Sequence, residues 1–180
     1  RVSEYLEQHL AAVTDSRHEK TRRIITMARA SVGRMRGLAN DSFADAFDDA
    51  ENFQLWTEQA DATSLAYFHK YKLLEALMAG DFDEVLFRAR RMTDNLNGIL
   101  GMPYQPFYQF YEALALIELA RRAPPARRQF MRLRATRLTR RIERWALEAP
   151  DNFAHRAELL RAELAFDAGR LDGAISRFAL

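Results

Sequence analysis

The sequence predicts an all-α fold built as a solenoid of stacked antiparallel helical hairpins. Apolar residues recur every three or four positions and no long alternating segment occurs, which favours helices over strands. Seven glycines and five prolines among 180 residues are few enough to mark turns. Internal similarity adds a third observation, because Gly80–Val85 (GDFDEV) and Gly169–Ala174 (GRLDGA) share the spacing of glycine, large apolar residue and aspartate. Such a recurrence is typical of repeat units, although an ordinary helical bundle stays open as an alternative.

A first helix is predicted over residues 3–38. Ser16–Glu19 (SRHE) has the form of a capping box, so the helix either starts anew near Asp15 or continues through it. Gly37 and Asn40 suit its end. Its apolar stripe comprises Ile24, Met27, Ala28, Val32, Met35 and Leu38.

An acidic connecting segment follows over residues 39–53, and either a short helix or an ordered loop fits it. Five acids lie between Asp41 and Glu51. Beyond it we expect a helix over 54–79 and a partner helix over 82–96, separated by Gly80, whose freedom at positive φ suits a turn. These two helices form the first predicted repeat unit, at about 55–98, with inward residues that include Phe82, Val85, Leu86, Ala89 and Met92.

Prolines mark the start of the next two predicted helices. Met102–Pro106 begins a helix that runs to 123, and Pro124-Pro125 separates it from a basic helix over 126–149. Both belong to a unit at about 103–149. The basic helix has an apolar stripe with steps of three and four, namely Met131, Ala135, Leu138, Ile142, Trp145 and Ala149.

The last predicted unit covers 151–180. Pro150 ends the basic helix, and Asp151 or Asn152 is expected to cap a helix that reaches Ala168. Gly169 then permits a turn into a final helix from Leu171. We expect residues 1–180 to form one helical-repeat domain. Because the chain begins with Arg and its last helix is short, we also expect it to be a piece of a longer protein.

The strongest electrostatic feature is the segment Arg121–Arg144. It holds ten arginines and one acid, a net charge of +9, whereas the rest of the chain has 17 basic and 24 acidic residues, a net −7. Such a segment suits an acidic protein, nucleic acid or an anionic membrane surface, but it is also typical of a solvated face whose long stems cover apolar surface. The candidate partner surface consists of Arg128, Arg132, Arg137, Arg140, Arg141 and Arg144.

Other site classes receive little support. The chain has no cysteine and therefore no thiolate metal site, and its four histidines lack the paired spacing of zinc ligands. No phosphate-binding glycine loop or nucleophile motif occurs, so we expect no catalytic residue, cofactor or metal in this segment. An aromatic cluster at Tyr104–Tyr111 is typical of helix packing, and a small-ligand pocket there is the alternative. No run of apolar residues is long enough to span a membrane, and a cytoplasmic location is expected.

Three stretches carry a resemblance to a known class of protein. They are Ala66–Lys72 (AYFHKYK) leading into Ala79–Phe82 (AGDF), Phe107–Leu116 (FYQFYEALAL), and Trp145–His155 (WALEAPDNFAH) continuing to Ala165. In their order and spacing they resemble the tetratricopeptide-like helical region of large multidomain bacterial signalling proteins. The similarity covers most of 55–180. The chain departs from the repeat pattern at Val85, where alanine is usual, and in the arginine-rich helix.

That resemblance implies a non-catalytic interaction or regulatory sensor module. In such proteins a serine/threonine kinase-like domain, a STAND-type ATPase, and a GAF and histidine kinase output accompany the helical region, so ATP would bind elsewhere in the parent chain. The implied partner is a protein, either a neighbouring domain or a separate signalling protein. Two alternatives stay open: a free-standing adaptor that uses the basic helix to bind an acidic partner, nucleic acid or a membrane surface, and a small-ligand sensor.

Overall fold

The computed structural model describes residues 19–37, 47–170 and 172. No β-strand occurs among them, which confirms the all-α class. A 3-10 helix spans Leu96–Ile99, and the α-helices are α1 (Glu19–Met35), α2 (Asp49–Glu58), α3 (Ala62–Ala79), α4 (Phe82–Asp94), α5 (Tyr104–Arg122), α6 (Pro125–Glu148) and α7 (Pro150–Asp167). The chain divides into two compact units, unit 1 over 1–81 with 90–101 and unit 2 over 82–89 with 102–180. The solenoid and its repeat-unit bounds stay predictions.

Unit 1 is built on α3, which contacts α1, α2 and the 3-10 helix. Its core contains Met27, Ala30, Phe47, Trp56 and Phe68. Burial of Met27 and Ala28 confirms part of the predicted stripe on α1, which ends at Met35 before Gly37 at φ +71°. Ser16 of the predicted capping box and Asn40 lie outside the described residues.

A cluster of charged side chains joins α1, α2 and α3 in unit 1. Glu75 of α3 accepts hydrogen bonds from Arg34 of α1 at 2.8 Å and from Lys72 at 2.8 Å, and Lys72 also pairs with Asp49 of α2. Burial alone would raise the pKa of Glu75, but these donors lower it below its ordinary value. The acidic segment therefore supplies Asp49 to the fold of unit 1.

The predicted continuous helix over 54–79 is wrong, because the chain breaks between α2 and α3. Ala60 lies in the left-handed region at φ +49°. Asp61 then caps α3, and its carboxylate accepts a hydrogen bond from the Ser64 amide at 3.1 Å. Ala60 itself is exposed.

Two nested hydrogen bonds end α2 at this break. The Ala60 amide donates to the carbonyl of Thr57 at 3.1 Å, and the Asp61 amide donates to that of Trp56 at 2.9 Å. This is the Schellman motif, which usually has glycine at the left-handed position. The same pair of bonds closes α3 at Gly80 (φ +73°), where the sequence predicts a turn. Alanine at position 60 hid the first motif from sequence analysis.

The 3-10 helix approaches the start of α3 closely enough to require glycine. A Cβ atom at Gly98 would lie 2.4 Å from the backbone carbon of Ala62 and 2.4 Å from the amide nitrogen of Thr63. The Gly98 carbonyl accepts a hydrogen bond from the Thr63 hydroxyl at 2.9 Å. The helix predicted over 82–96 ends at Asp94 as α4, and Gly98 beyond it permits this backbone contact.

Unit 2 contains α5, α6 and α7, and α5 contacts both of the others. Their interactions show the chain directions. Along α6, Arg128 and then Arg134 contact Ala120 and then Glu112 of α5, so successive contacts on α5 move backwards. Contacts from Arg132 to Asp167 and from Glu143 to Arg161 reverse in the same way along α7. Both neighbouring pairs of helices are therefore antiparallel.

The predicted inner face of α6 is confirmed from Met131 to Trp145, whereas Ala149 lies beyond the end of the helix. Met131, Ala135, Leu138 and Ile142 are buried, and Trp145 packs against the same core as a half-buried residue. The remaining buried members of this core come from α5 and α7, together with Ala123: Phe110, Ala113, Leu116, Ile117, Ala120, Ala123, Ala157 and Leu160. In α4, the predicted inward residues Val85, Ala89 and Met92 are also buried.

The start of α7 differs from the predicted cap. The helix begins at Pro150, with Ala149 before it and no side-chain cap. Proline needs no hydrogen-bond partner for its nitrogen in the first turn, so Asp151 lies inside the helix, where its charge favours the helix N-terminus. At the other end, Gly169 (φ +74°) confirms the predicted turn. The predicted helix from Leu171 lies outside the described residues.

We predict that Ala60→Gly raises the free energy of unfolding. The left-handed conformation costs an L-residue about 1 kcal/mol, whereas glycine adopts it without this cost. Ala79→Gly, at the helical end of α3, is the matched control and should lower stability, because glycine in a helix loses more backbone entropy. Urea unfolding followed by circular dichroism measures both. An Ala60→Gly protein no more stable than the natural chain would contradict the left-handed assignment.

We also predict opposite responses to asparagine at two glycines of unit 1. Gly80 needs only a left-handed conformation and has open space around its Cβ position, so Gly80→Asn should be milder than Gly80→Ala. Gly98 needs space, so Gly98→Ala should cost about 1–3 kcal/mol, and Gly98→Asn should cost more than Gly98→Ala. Thermal unfolding of the four variants checks this order. Equal losses for both substitutions at Gly98 would argue against the close backbone contact.

Candidate functional site

The arginines of the predicted surface divide into two groups. Arg128 and Arg132 lie near the start of α6 and bind backbone carbonyl groups of neighbouring helices. Arg137, Arg140, Arg141 and Arg144 lie further along α6 and are exposed. The six predicted residues are thus brought onto one helix, but they do not form one uniform surface.

Arg128 and Arg132 complete the ends of helices. The Arg128 guanidinium donates to the carbonyl of Ala120 at 3.1 Å and to that of Arg121 at 3.4 Å, at the end of α5. Arg132 binds both the carboxylate and the carbonyl of Asp167, the last residue of α7. The last carbonyls of a helix lack partners within it, so these contacts satisfy acceptors that would otherwise need water. Both arginines have a structural role.

Other arginines of the segment pair with carboxylates of unit 2. Arg134 binds Glu112 of α5, whose side chain is only 7% exposed. Arg121 binds both Glu118 and Glu163. Although burial acts to lower the pKa of Arg121, its bonds to these two carboxylates raise it. Arg134 therefore joins α6 to α5, and Arg121 joins α5 to α7.

We name the remaining group the arginine face: Arg137, Arg140, Arg141 and Arg144. None of the four binds a carboxylate among the residues that the structure describes. At 100° per residue, they span about 100° of the helix circumference, on the side opposite the buried stripe. The buried stripe thus fixes the direction in which these four charges point.

Three exposed apolar residues share this side of α6, and sequence analysis missed them. Phe130 is 64% exposed, Leu133 53% and Leu147 84%. With three members of the arginine face they form what we call the outer stripe: Phe130, Leu133, Arg137, Arg140, Arg144 and Leu147. Its steps of three, four, three, four and three residues match those of the buried stripe. The sequence therefore contains the spacing of the outer stripe, but a search for charged residues alone leaves out its three apolar members.

Surface depressions adjoin the arginine face on both sides. Towards α7, a depression of about 320 Å³ is lined by Thr136, Arg140, Leu164 and their neighbours. Towards α5, one of about 180 Å³ is lined by Gln105, Arg141, Arg144 and Trp145. The face itself borders a wider depression of about 790 Å³, which also includes Leu147 and Arg161.

Arg161 of α7 differs from these neighbours because it is already paired. It donates to Glu143 at 2.6 Å and also binds Glu158. The hydrogen bond to Glu143, more than any other influence, raises the pKa of Arg161. Its charge is largely balanced within unit 2, and the same pair neutralises Glu143, the one acid of the predicted basic segment.

The aromatic cluster at the start of α5 is packed. The rings of Phe107 and Tyr111 are 4.8 Å apart and those of Phe110 and Tyr111 5.0 Å apart, both edge to face. Tyr108 and Phe110 are buried. This arrangement is what a helix-packing core requires. The small-ligand pocket stays a prediction.

Two of the four histidines lie outside the described residues, and the other two have different surroundings. His69 is buried and contacts the rings of Phe53 and Phe68, whereas His155 is exposed. Within residues 19–37 and 47–170, no group of three or more His, Cys, Asp or Glu side chains could hold a metal ion. None of the helices described has the length and apolarity needed to cross a membrane.

The chain was compared with protein-family models, with curated proteins and with solved structures, and no match was found in any of them. The resemblance to helical regions of bacterial signalling proteins therefore stays a prediction that depends on the three stretches quoted above.

We predict that two arginines three residues apart on α6 differ sharply in their effect on stability. Arg134→Met leaves the buried Glu112 carboxylate without its cation and should cost about 2 kcal/mol. Arg137→Met removes a side chain with no carboxylate partner in the described structure and should change stability by less than about 0.5 kcal/mol. Chemical unfolding measures both values, and Glu112→Gln in the Arg134→Met background should recover part of the loss. Similar values for the two single variants would contradict the division of roles.

Proposed function

We propose that this chain is a non-catalytic protein-interaction and regulatory module of a multidomain signalling protein, with a tetratricopeptide-like solenoid arrangement. The observation that carries the proposal is the arginine face. Four exposed arginines lack carboxylate partners in the described structure, although other arginines of the same segment are paired or bind carbonyl groups. These four arginines lie together on one side of α6 and are available to a partner.

The packing of unit 2 supports the repeat arrangement. Two antiparallel neighbours, α5 and α6, are followed by α7, which contacts both of them. Contacts between each helix and its next two neighbours are what stacked helical hairpins require. In such arrays one helix of each hairpin contributes a face to an extended binding surface, and we assign that part to α6.

The proposed parent follows from the resemblance. A kinase-like domain and a STAND-type ATPase would precede this region, ATP would bind there, and the helical region would regulate them through contact. The complete reading frame tests this part directly. A P-loop module encoded upstream would support it, and a gene that encodes only a short helical protein would replace it with the adaptor alternative, in which the same arginine face binds a separate acidic protein.

Nucleic acid is the second candidate partner, and the net charge of +9 over Arg121–Arg144 favours it. Much of that charge is balanced, however, by Glu112, Glu118, Glu163 and Asp167 in the folded unit. Phosphate binding by the four remaining arginines would weaken steeply with salt. A protein partner that also contacts apolar residues would retain more of its affinity.

We predict that a photo-crosslinking amino acid at Leu147, placed in the complete protein in its own cells, captures a protein segment. Leu147 is 84% exposed beside Arg144, so a partner on this face must pass it. The crosslinked product, analysed by mass spectrometry, should be an acidic peptide from a neighbouring domain or a second protein.

Leu100 provides the matched control for this experiment. It is 78% exposed but belongs to unit 1, and the same crosslinker there should not capture that peptide. Substitution of Arg137 and Arg144 by glutamate should abolish the product at Leu147. Capture of nucleic acid at Leu147, or the same peptide at both positions, would overturn the proposed function.

A further inference from the structure

We infer that the outer stripe of α6 binds one acidic amphipathic helix of a partner protein, with carboxylates on its contact face and an apolar residue at each end of that face. This inference rests on the proposed function and names the partner's chemistry. It is carried by the spacing of the stripe, by its order of apolar and basic residues, and by the depressions beside it.

The spacing of the outer stripe is that of a helix-packing seam. Steps alternating between three and four residues keep side chains on one line when two helices pack at a shallow angle. Successive arginines of the arginine face are separated by about 4.5, 1.5 and 4.5 Å along the helix axis. Carboxylates at positions i, i+3, i+4 and i+7 of a second helix have the same axial separations. An extended peptide presents same-side residues about 6.6 Å apart and loses this match after one pair.

The order of residues along the stripe specifies the partner further. Phe130 and Leu133 precede the arginine face, and Leu147 follows it, so the apolar ends lie about 20 Å apart or more along the axis. A partner helix with acids in its middle and apolar residues at its ends would bury all three exposed side chains. The two flanking depressions, towards Leu164 of α7 and towards Trp145 near α5, would receive the side chains beside its contact line.

Other occupants fit this surface less well. A second copy related by two-fold symmetry would bring Arg137 and Arg144 against the same residues, which repel each other. A lipid surface would require apolar residues at the centre of the stripe with cations beside them, whereas here the cations occupy the centre. Nucleic acid would leave Leu133 and Leu147 without apolar contact.

The test uses the 180-residue chain and fluorescent synthetic peptides. The main probe is a helical peptide with glutamates at i, i+3, i+4 and i+7 and leucines at both ends of that face. The comparison peptide has the same composition, with its glutamates distributed around the helix. We expect the first peptide to bind at least about tenfold more tightly by fluorescence anisotropy, since close charge pairs supply this much discrimination.

Charge-matched variants locate the binding. Arg137→Glu with Arg144→Glu should weaken binding by at least about tenfold. Arg90→Glu with Arg122→Glu makes the same change in net charge at exposed positions outside α6 and should weaken it less than about twofold. Circular dichroism checks that both variants remain folded. Leu147→Ser should weaken binding of the first peptide, whose face carries leucines at its ends, but not binding of the comparison peptide.

The outcomes separate this inference from the proposed function. The two peptides could bind equally well and lose affinity only for the Arg137→Glu, Arg144→Glu variant. That result would overturn the inference of a helical partner but would still support an interaction surface for acidic proteins. Tighter binding of single-stranded DNA or of vesicles rich in phosphatidylserine would overturn both. Equal losses in the two double variants, or no binding of the spaced peptide at millimolar concentration, would also overturn the inference.

Discussion

The buried stripe of α6 is the constraint on which the rest of unit 2 depends. Met131, Ala135, Leu138 and Ile142 pack against side chains of α5 and α7, and this packing sets the rotation of α6 about its axis. Once the rotation is set, each arginine has a fixed direction. Those beside the core reach carboxylates and carbonyl groups of the neighbouring helices, and those opposite it cannot. Hydrophobic packing thus determines which charges are used inside the fold.

Arginine suits this division better than lysine would. Its planar guanidinium can serve several acceptors at once, as Arg132 does with the carboxylate and carbonyl of Asp167, and Arg121 with Glu118 and Glu163. A long apolar stem can also cover apolar surface beside the charged group. The basic composition of the segment therefore has two causes: part of it joins the helices of unit 2, and part of it remains exposed. A count of charges along the sequence does not separate them.

Much of the fold could be predicted where a residue has one dominant local effect. Gly80 and Gly169 indicated turns because glycine favours positive φ, and the buried stripe of α6 indicated its inner face. The break at Ala60 was missed because alanine occupies the left-handed position where glycine is usual. The cap at Asp151 was wrong because Pro150 can occupy the first helical position. The roles of Arg128 and Arg134 depend on partners 8 and 22 residues away, which no local pattern supplies.

The uneven neutralisation of α6 has a consequence for how unit 2 moves in solution. Arg121, Arg132, Arg134 and Arg161 are paired with adjacent acids, whereas the arginine face is not, so unbalanced positive charge is grouped on one side of α6. A molecule with such a dipole turns in the field of an acidic partner before contact and presents that side first. Association would then be fast at low ionic strength and would slow as salt is added. The orientation of the encounter is set by the fold of unit 2, before any contact forms.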